Sequence, residues 1–197
     1  QQEKAEIVPG HVYTFGSGEH GALGNDVTTN GLEPAVLKTI MYMDVTYVTC
    51  YGSAAAAVCR GGEVFTWGKG VGARLGIGNE SDYERPKQVV LRSNSRIVKA
   101  AMGEQHTLLL AEDGDLFAMG MNEHGQIGIE GMDLFYTPTK VSALSNRRII
   151  DISCGHSHSG VVTDMGDMFC FGDNTYGQCG GESESVLVPT QVDAGEN

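Results

Sequence analysis

Two histidines, His106 and His158, stand 52 residues apart, and a third, His156, lies two residues from His158. On an extended segment, side chains two apart point to one side, so His156 and His158 could share a ligand. Imidazoles bind transition metals and carry protons near neutral pH. A metal would need one or two further ligands nearby, and the sequence supplies none. The five cysteines, Cys50, Cys59, Cys154, Cys170 and Cys179, are odd in number and never spaced as CxxC. They read as free thiols of a reducing compartment, not as a zinc site or a disulfide framework. The stretch MFCFGDNTYGQCG at 168–180 has the glycines of a phosphate loop, but no helical pattern follows to anchor one. No Ser-His-Asp order, paired carboxylates or activated cysteine stands out. The residues therefore point to no catalytic centre, no cofactor and no metal, and away from an enzyme.

What remains is recognition chemistry. Arg96 and Arg148 are also 52 apart, each seven residues before a glycine, Gly103 or Gly155. Arg92, Lys99 and Arg147 add positive charge to a chain whose formal net charge is −12. His106, His158, Arg96 and Arg148 are accordingly the candidate interaction residues. Equivalent positions in successive units would align along one arc and meet an acidic partner. The plainer readings are imidazoles that hold a loop backbone and arginines that are solvated surface charges. NESDYER at 79–85 and GGESES at 180–185 are acidic loops that either attract basic partners or keep the surface soluble. So acidic a chain matches a phosphate backbone poorly, and direct nucleic-acid binding is not expected. The N-terminal QQEKAEIVPG lacks the basic start and apolar run of a secretion signal, and no stretch is apolar for long enough to cross a bilayer. An intracellular protein, cytoplasmic or nuclear, is expected.

The spacing of these residues belongs to a larger regularity. Gly16, Gly68, Gly120 and Gly172 recur every 52 residues, as do Gly24, Gly76, Gly128 and Gly180. Pro34, Pro86, Pro138 and Pro189 follow at 52, 52 and 51. Such a period marks a repeat architecture. The residues before each first glycine alternate. One face carries Tyr13, Phe65, Phe117 and Phe169, with Phe15, Trp67, Met119 and Phe171 beside them; the other carries Val12, Val64, Leu116 and Met168. Both faces are apolar, as in strands stacked between neighbouring sheets. Trp67, the sole tryptophan, is therefore expected to be buried between units. Gly62, Gly114 and Gly166 sit where tight hairpin turns are expected. Four short strands per repeat make a β-propeller blade. The chain divides into an extension at 1–9, repeats at about 10–61, 62–113 and 114–165, a partial repeat at 166–192, and a tail at 193–197.

An aromatic-Gly pair, a glycine loop, a Pro-x-x-Val strand and then Cys-Gly-x-x-His together resemble the regulator of chromosome condensation repeat. FGDNTYGQCG with PTQV, CGHSHSGVV at 154–162 and MGEQHTLLL at 102–110 carry the resemblance, which covers 10–192. YGSAAAAVC departs from it, with Ala55 where the other copies have His106 and His158. The resemblance implies an all-β, seven-bladed propeller, whose remaining blades come from the same longer chain or from another. It implies docking of partner proteins on a loop face. The alternatives it offers are guanine-nucleotide exchange on a Ran-like small GTPase, or substrate recognition within a larger ubiquitin ligase. The family's exchange activity uses a projecting element, for which a uniform 52-residue spacing leaves no room. Its photoreceptor branch relies on tryptophan clusters, against the single Trp67 here.

Overall fold

The 52-residue period becomes a repeated antiparallel sheet. A computed structural model describes residues 10–193, so the extension at 1–9 and residues 194–197 lie outside the described residues. The strands are β1 (Tyr13–Gly16), β2 (Gly31–Val36), β3 (Val45–Tyr51), β4 (Ala54–Cys59), β5 (Val64–Gly68), β6 (Tyr83–Gln88) and β7 (Ile97–Met102). They continue with β8 (His106–Ala111), β9 (Leu116–Gly120), β10 (Phe135–Lys140), β11 (Ile149–Cys154), β12 (His158–Thr163), β13 (Met168–Asp173) and β14 (Ser185–Gln191). Strands β3–β6, β7–β10 and β11–β14 form three complete four-stranded blades, and β1–β2 form a two-stranded sheet. The sequence period gives the spacing but not the phase. A repeat that starts at Gly62 opens on the third strand of a blade, and β1–β2 are likewise the outer pair of theirs.

Local chemistry explains the hairpins. Gly62, Gly114 and Gly166 close the turns between second and third strands at φ +98°, +92° and +86°, which strain any residue with a Cβ. Their N–H groups donate to the carbonyls of Cys59, Ala111 and Thr163 at 2.9, 3.0 and 3.0 Å. The all-β architecture anticipated from period-two patterning is thus formed.

Blade-on-blade packing follows a knob-and-socket rule. A Cβ on Gly24 would lie 2.9 Å from the Trp67 ring, and one on Gly76 would lie 2.1 Å from the Met119 sulfur. One on Gly128 would lie 3.0 Å from the Phe171 ring. Each glycine is therefore a socket, and the aromatic or methionine knob comes from the next blade. The Trp67 indole N–H also donates to the Ala22 carbonyl of the preceding blade at 3.0 Å. Trp67, Met119 and Phe171 are buried as expected, whereas Phe15, the same column in the first unit, is 63% exposed. Its neighbouring blade is not among the described residues. Apolar clusters fill the spaces between blades, one around Leu75, Leu109 and Met119 and the next around Ile127, Ile149 and Phe171.

Candidate protein-docking face

The antiparallel register sends the four candidate residues to two opposite ends of the blades. Ile97 pairs with Ala111 at one end of the β7–β8 hairpin, and Met102 pairs with Thr107 at the other. Arg96 therefore lies at the end carrying the Gly62, Gly114 and Gly166 turns, the turn end. His106 lies about 20 Å away, at the end carrying the glycine loops. In β11–β12, Ile149 pairs with Thr163 and Cys154 with Ser159, so Arg148 and His158 separate in the same way. The expectation of one shared arc is corrected: His106, His158, Arg96 and Arg148 do not form one surface.

At the turn end the arginines bind neighbouring blades together. Arg96 donates from Nε to the Arg60 carbonyl at 2.7 Å and from Nη1 to Glu112 at 2.6 Å. Arg148 donates to the Asp113 and Glu112 carbonyls at 2.9 and 3.1 Å. Their stems cover the turn glycines, since a Cβ on Gly62 or Gly114 would meet Arg96 Cγ or Arg148 Cγ at 2.8 or 2.6 Å. Nearby, Arg60 pairs with Asp44, Lys140 with Asp115 and Arg147 with Asp167. Of the basic residues anticipated from sequence, Arg96, Lys99 and Arg147 are thus paired with carboxylates and Arg148 with backbone carbonyls, while Arg92 is exposed.

At the loop end His106 is fully buried. Its Nε2 lies 2.9 Å from Ser159 Oγ, and that hydroxyl donates to the Gln126 carbonyl at 2.7 Å. The hydroxyl proton being used there, Nε2–H of His106 is the donor and Nδ1 is the bare nitrogen, which has no partner. Burial, aided by the neighbouring His158, pushes its pKa down to about 3. His106 touches no partner and instead joins two blades. The unfolded chain protonates near pH 6.5 and the folded one near 3, so the unfolded state holds more protons in between. Stability should be fully present above about pH 6.5 and fall as pH drops through that window. Urea unfolding at pH 7 and pH 4.5 will show it, and His106→Gln should flatten the difference.

His158 is half-buried and covers Gly155 as His106 covers Gly103: a Cβ on either glycine would lie 2.1–2.2 Å from the imidazole Cε1. The structural equivalent in the first copy is Ala54, which pairs with Gly68 as His106 pairs with Gly120 and His158 with Gly172. The match of Ala55 to these histidines is therefore shifted by one. The reason is the turn: Gly52–Ser53 is one residue shorter than Gly103–Gln105 or Gly155–Ser157.

Sequence reasoning missed Arg74, which is buried with 1% exposure. Its Nε donates to the Lys69 carbonyl at 2.7 Å, and Nη1 donates to the Glu104 carbonyl at 2.6 Å and to Tyr51 at 3.4 Å. It ties a glycine loop to the hairpin turn of the next blade. Among the described residues the five cysteines are free. Burial pushes the thiols of Cys59 and Cys154 up to about 11 and 12, which leaves them unreactive.

The outer surface of the loop end is acidic. Glu80, Asp82, Glu123, Glu130, Glu182 and Glu184 are exposed on its loops, whereas Arg74 is buried and Lys69 half-buried. Tyr176 and Met132 stand out from the same loops at 92% and 63% exposure. Exposed apolar side chains amid one sign of charge suit recognition of a protein surface.

Family models for the "Regulator of chromosome condensation (RCC1) repeat" match residues 9–58, 61–110 and 113–162, and a second model of that repeat matches 97–126 and 149–178. The chain belongs to the RCC1 repeat family. It is 29% identical to the ultraviolet-B receptor UVR8 of Arabidopsis thaliana over 187 residues, covering 94% of this chain and 42% of the receptor. It is 31% identical to the human E3 ubiquitin-protein ligase HERC2 over 186 residues, 93% of this chain and 4% of the ligase. Human WBSCR16 has the same fold, at TM-score 0.85 and 24% identity over 94% of this chain and 49% of that one. Yeast RCC1, Prp20, matches at TM-score 0.81 and 23% identity over 93% of this chain and 45% of that one. The RCC1 repeats here thus span less than half the length of these relatives. No helix among the described residues is long and apolar enough to cross a membrane.

Proposed function

We propose that this RCC1-repeat chain is an arc of a larger propeller that docks a basic protein partner on its acidic loop end, inside the cell. The supporting observation is the separation of the two blade ends. The turn end spends most of its cations on its own carboxylates and carbonyls. At the loop end Asp82 and Asp26 are matched by His20 and Arg85, whereas the exposed Glu123, Glu130, Glu182 and Glu184 form no ion pair among the described residues. Its loops are carried on rigid, interlocked blades, which suits a platform whose contacts vary while its frame does not. His158 contributes by fixing the turn beside exposed His156, and Arg96 and Arg148 contribute by holding the blades in line.

Nucleotide exchange on a Ran-like GTPase is the second reading. It is favoured by the similarity to Prp20p, whose solved structure is described with binding to Gsp1p and histones. Substrate recognition within a ligase, in the manner suggested by the HERC2 match, is a docking function of the same kind.

Charge reversal distinguishes the two ends. Glu123→Lys with Glu130→Lys should weaken partner capture about tenfold or more and reduce its salt dependence. Arg96→Glu with Arg148→Glu should instead lower the melting temperature and leave capture by the folded protein unchanged. If the arginine pair alone alters capture, the docking face is the turn end. Nucleotide release from a Ran-type GTPase, measured with the completed propeller, would put the exchange reading first if it accelerates by orders of magnitude.

A further inference from the structure

Thr14, Thr66, Ala118 and Cys170 hold one place on β1, β5, β9 and β13, and Leu23, Leu75, Ile127 and Cys179 follow nine residues later. In the first two copies the later residue folds back beside the earlier one. Thr14 Oγ1 donates to the Leu23 carbonyl at 2.8 Å, and Thr66 Oγ1 donates to the Leu75 carbonyl at 2.7 Å. The last copy has a thiol at both positions. Cys170 Sγ donates to the carbonyl of Gln178, one residue before Cys179, at 3.7 Å, and Cys179 Sγ donates to the Asp173 carbonyl at 3.8 Å. The two thiols are also in hydrogen-bonding contact with each other.

Both cysteines sit on held backbone. Cys170 is laddered between Gly160 of β12 and Thr190 of β14. Cys179 N–H donates to Asn174 Oδ1 at 2.7 Å, and the Asn174 amide donates to the Gly180 and Ser183 carbonyls at 2.9 and 2.7 Å. Gly160 stands where the preceding blades have Ala56 and Leu108, and a Cβ there would meet nothing within 4 Å except Met168 Cε at 3.6 Å. The Cys170 sulfur therefore has room to turn. Both side chains are buried, and burial, followed by the contact with Cys170, raises the Cys179 thiol pKa. The closed loop thus keeps the pair reduced, and opening of its side-chain and turn hydrogen bonds exposes it.

We propose that Cys170 and Cys179 form a redox modification site, oxidised by a small disulfide of the glutathione class to an intrablade disulfide that ties loop 174–184 to β13. Once the loop opens, the Cys179 thiolate attacks one sulfur of the small disulfide and displaces a thiolate. Cys170, having released its proton, then attacks Cys179 Sγ in the mixed disulfide and displaces the second thiolate. The two leaving groups take up the two protons that the cysteines released, so one disulfide and two thiols are consumed and formed. Contact between the pair makes the second step intramolecular and favours it over a lasting mixed disulfide. The site stands on the repeat geometry and is independent of the docking reading, although the loop it ties carries Tyr176 and Glu182.

The test incubates the folded chain with reduced and oxidised glutathione, alkylates the remaining thiols and cleaves before aspartates. Cleavage before Asp167 and Asp173 puts Cys170 and Cys179 on separate peptides, so their disulfide appears as two joined ones. The proposal expects this junction to form at least about tenfold faster than any other pairing of the five cysteines. Amides of residues 174–180 should then exchange at least about tenfold more slowly than in the reduced chain. Cys170→Thr, which matches Thr14 and Thr66 of the earlier copies, should keep the fold by circular dichroism and lose both the junction and the slowing. Three results would overturn the proposal: glutathione held on Cys179 with Cys170 still free, a junction formed only in urea, or a junction that leaves exchange of the loop amides unchanged.

Discussion

Truncation of Trp67 to alanine is expected to lower stability by about 3–5 kcal/mol, the range for a large aromatic lost from a core. The indole is 2% exposed, fills the Gly24 socket beside Leu37, Ile40 and Ala57, and donates to the Ala22 carbonyl. Its removal therefore opens a cavity between two sheets and leaves a carbonyl without its donor. Urea unfolding of wild type and variant measures the loss. In the wild type, Trp67 emission should be blue-shifted and iodide should quench it poorly. Easy quenching in the folded protein would mean that the blades do not interlock in this register.

Replacement of Arg74 by methionine keeps most of the volume and removes the donors. The Lys69 and Glu104 carbonyls lose their charge-assisted bonds inside the blade junction. A loss of about 3 kcal/mol or more is expected, from unsatisfied acceptors at a buried site. Burial lowers the guanidinium pKa, with the nearby Glu104 acting the other way, yet the group keeps its proton at any pH where the protein folds. The effect should accordingly be insensitive to pH, in contrast to that of His106→Gln. Unchanged stability in Arg74→Met would show that the carbonyls find other donors and that the loop does not depend on this tie.

The fold was legible in the sequence because its signals are local and repeated. Alternation in columns such as Phe65-Trp67 and Phe169-Phe171 reports strands, and Gly62, Gly114 and Gly166 report turns. The 52-residue interval between such features reports stacking of equivalent units. The same signals could not report which end of a strand a residue occupies. Arg96 and His106 are only ten residues apart in sequence, but an intervening strand carries the chain from one blade end to the other. Their pairing on one surface failed for that reason. Arg74 was illegible for a different one: an arginine in a glycine loop reads as solvated, and only the approach of the next blade buries it. The misplacement of Ala55 came from counting across a turn whose length changes by one residue. Ladder pairing with Gly68, not spacing to Gly52, fixes the equivalence.

The central claim is that a protein partner meets the loop end of the blades. The most direct measurement introduces a photo-crosslinking amino acid at Glu123 on the loop end or at Asp164 on the turn end, both exposed, and compares what each captures. The account predicts a specific protein adduct from position 123, suppressed by the Glu130→Lys and Glu182→Lys reversals, and none from position 164. Adducts from position 164 alone would contradict it.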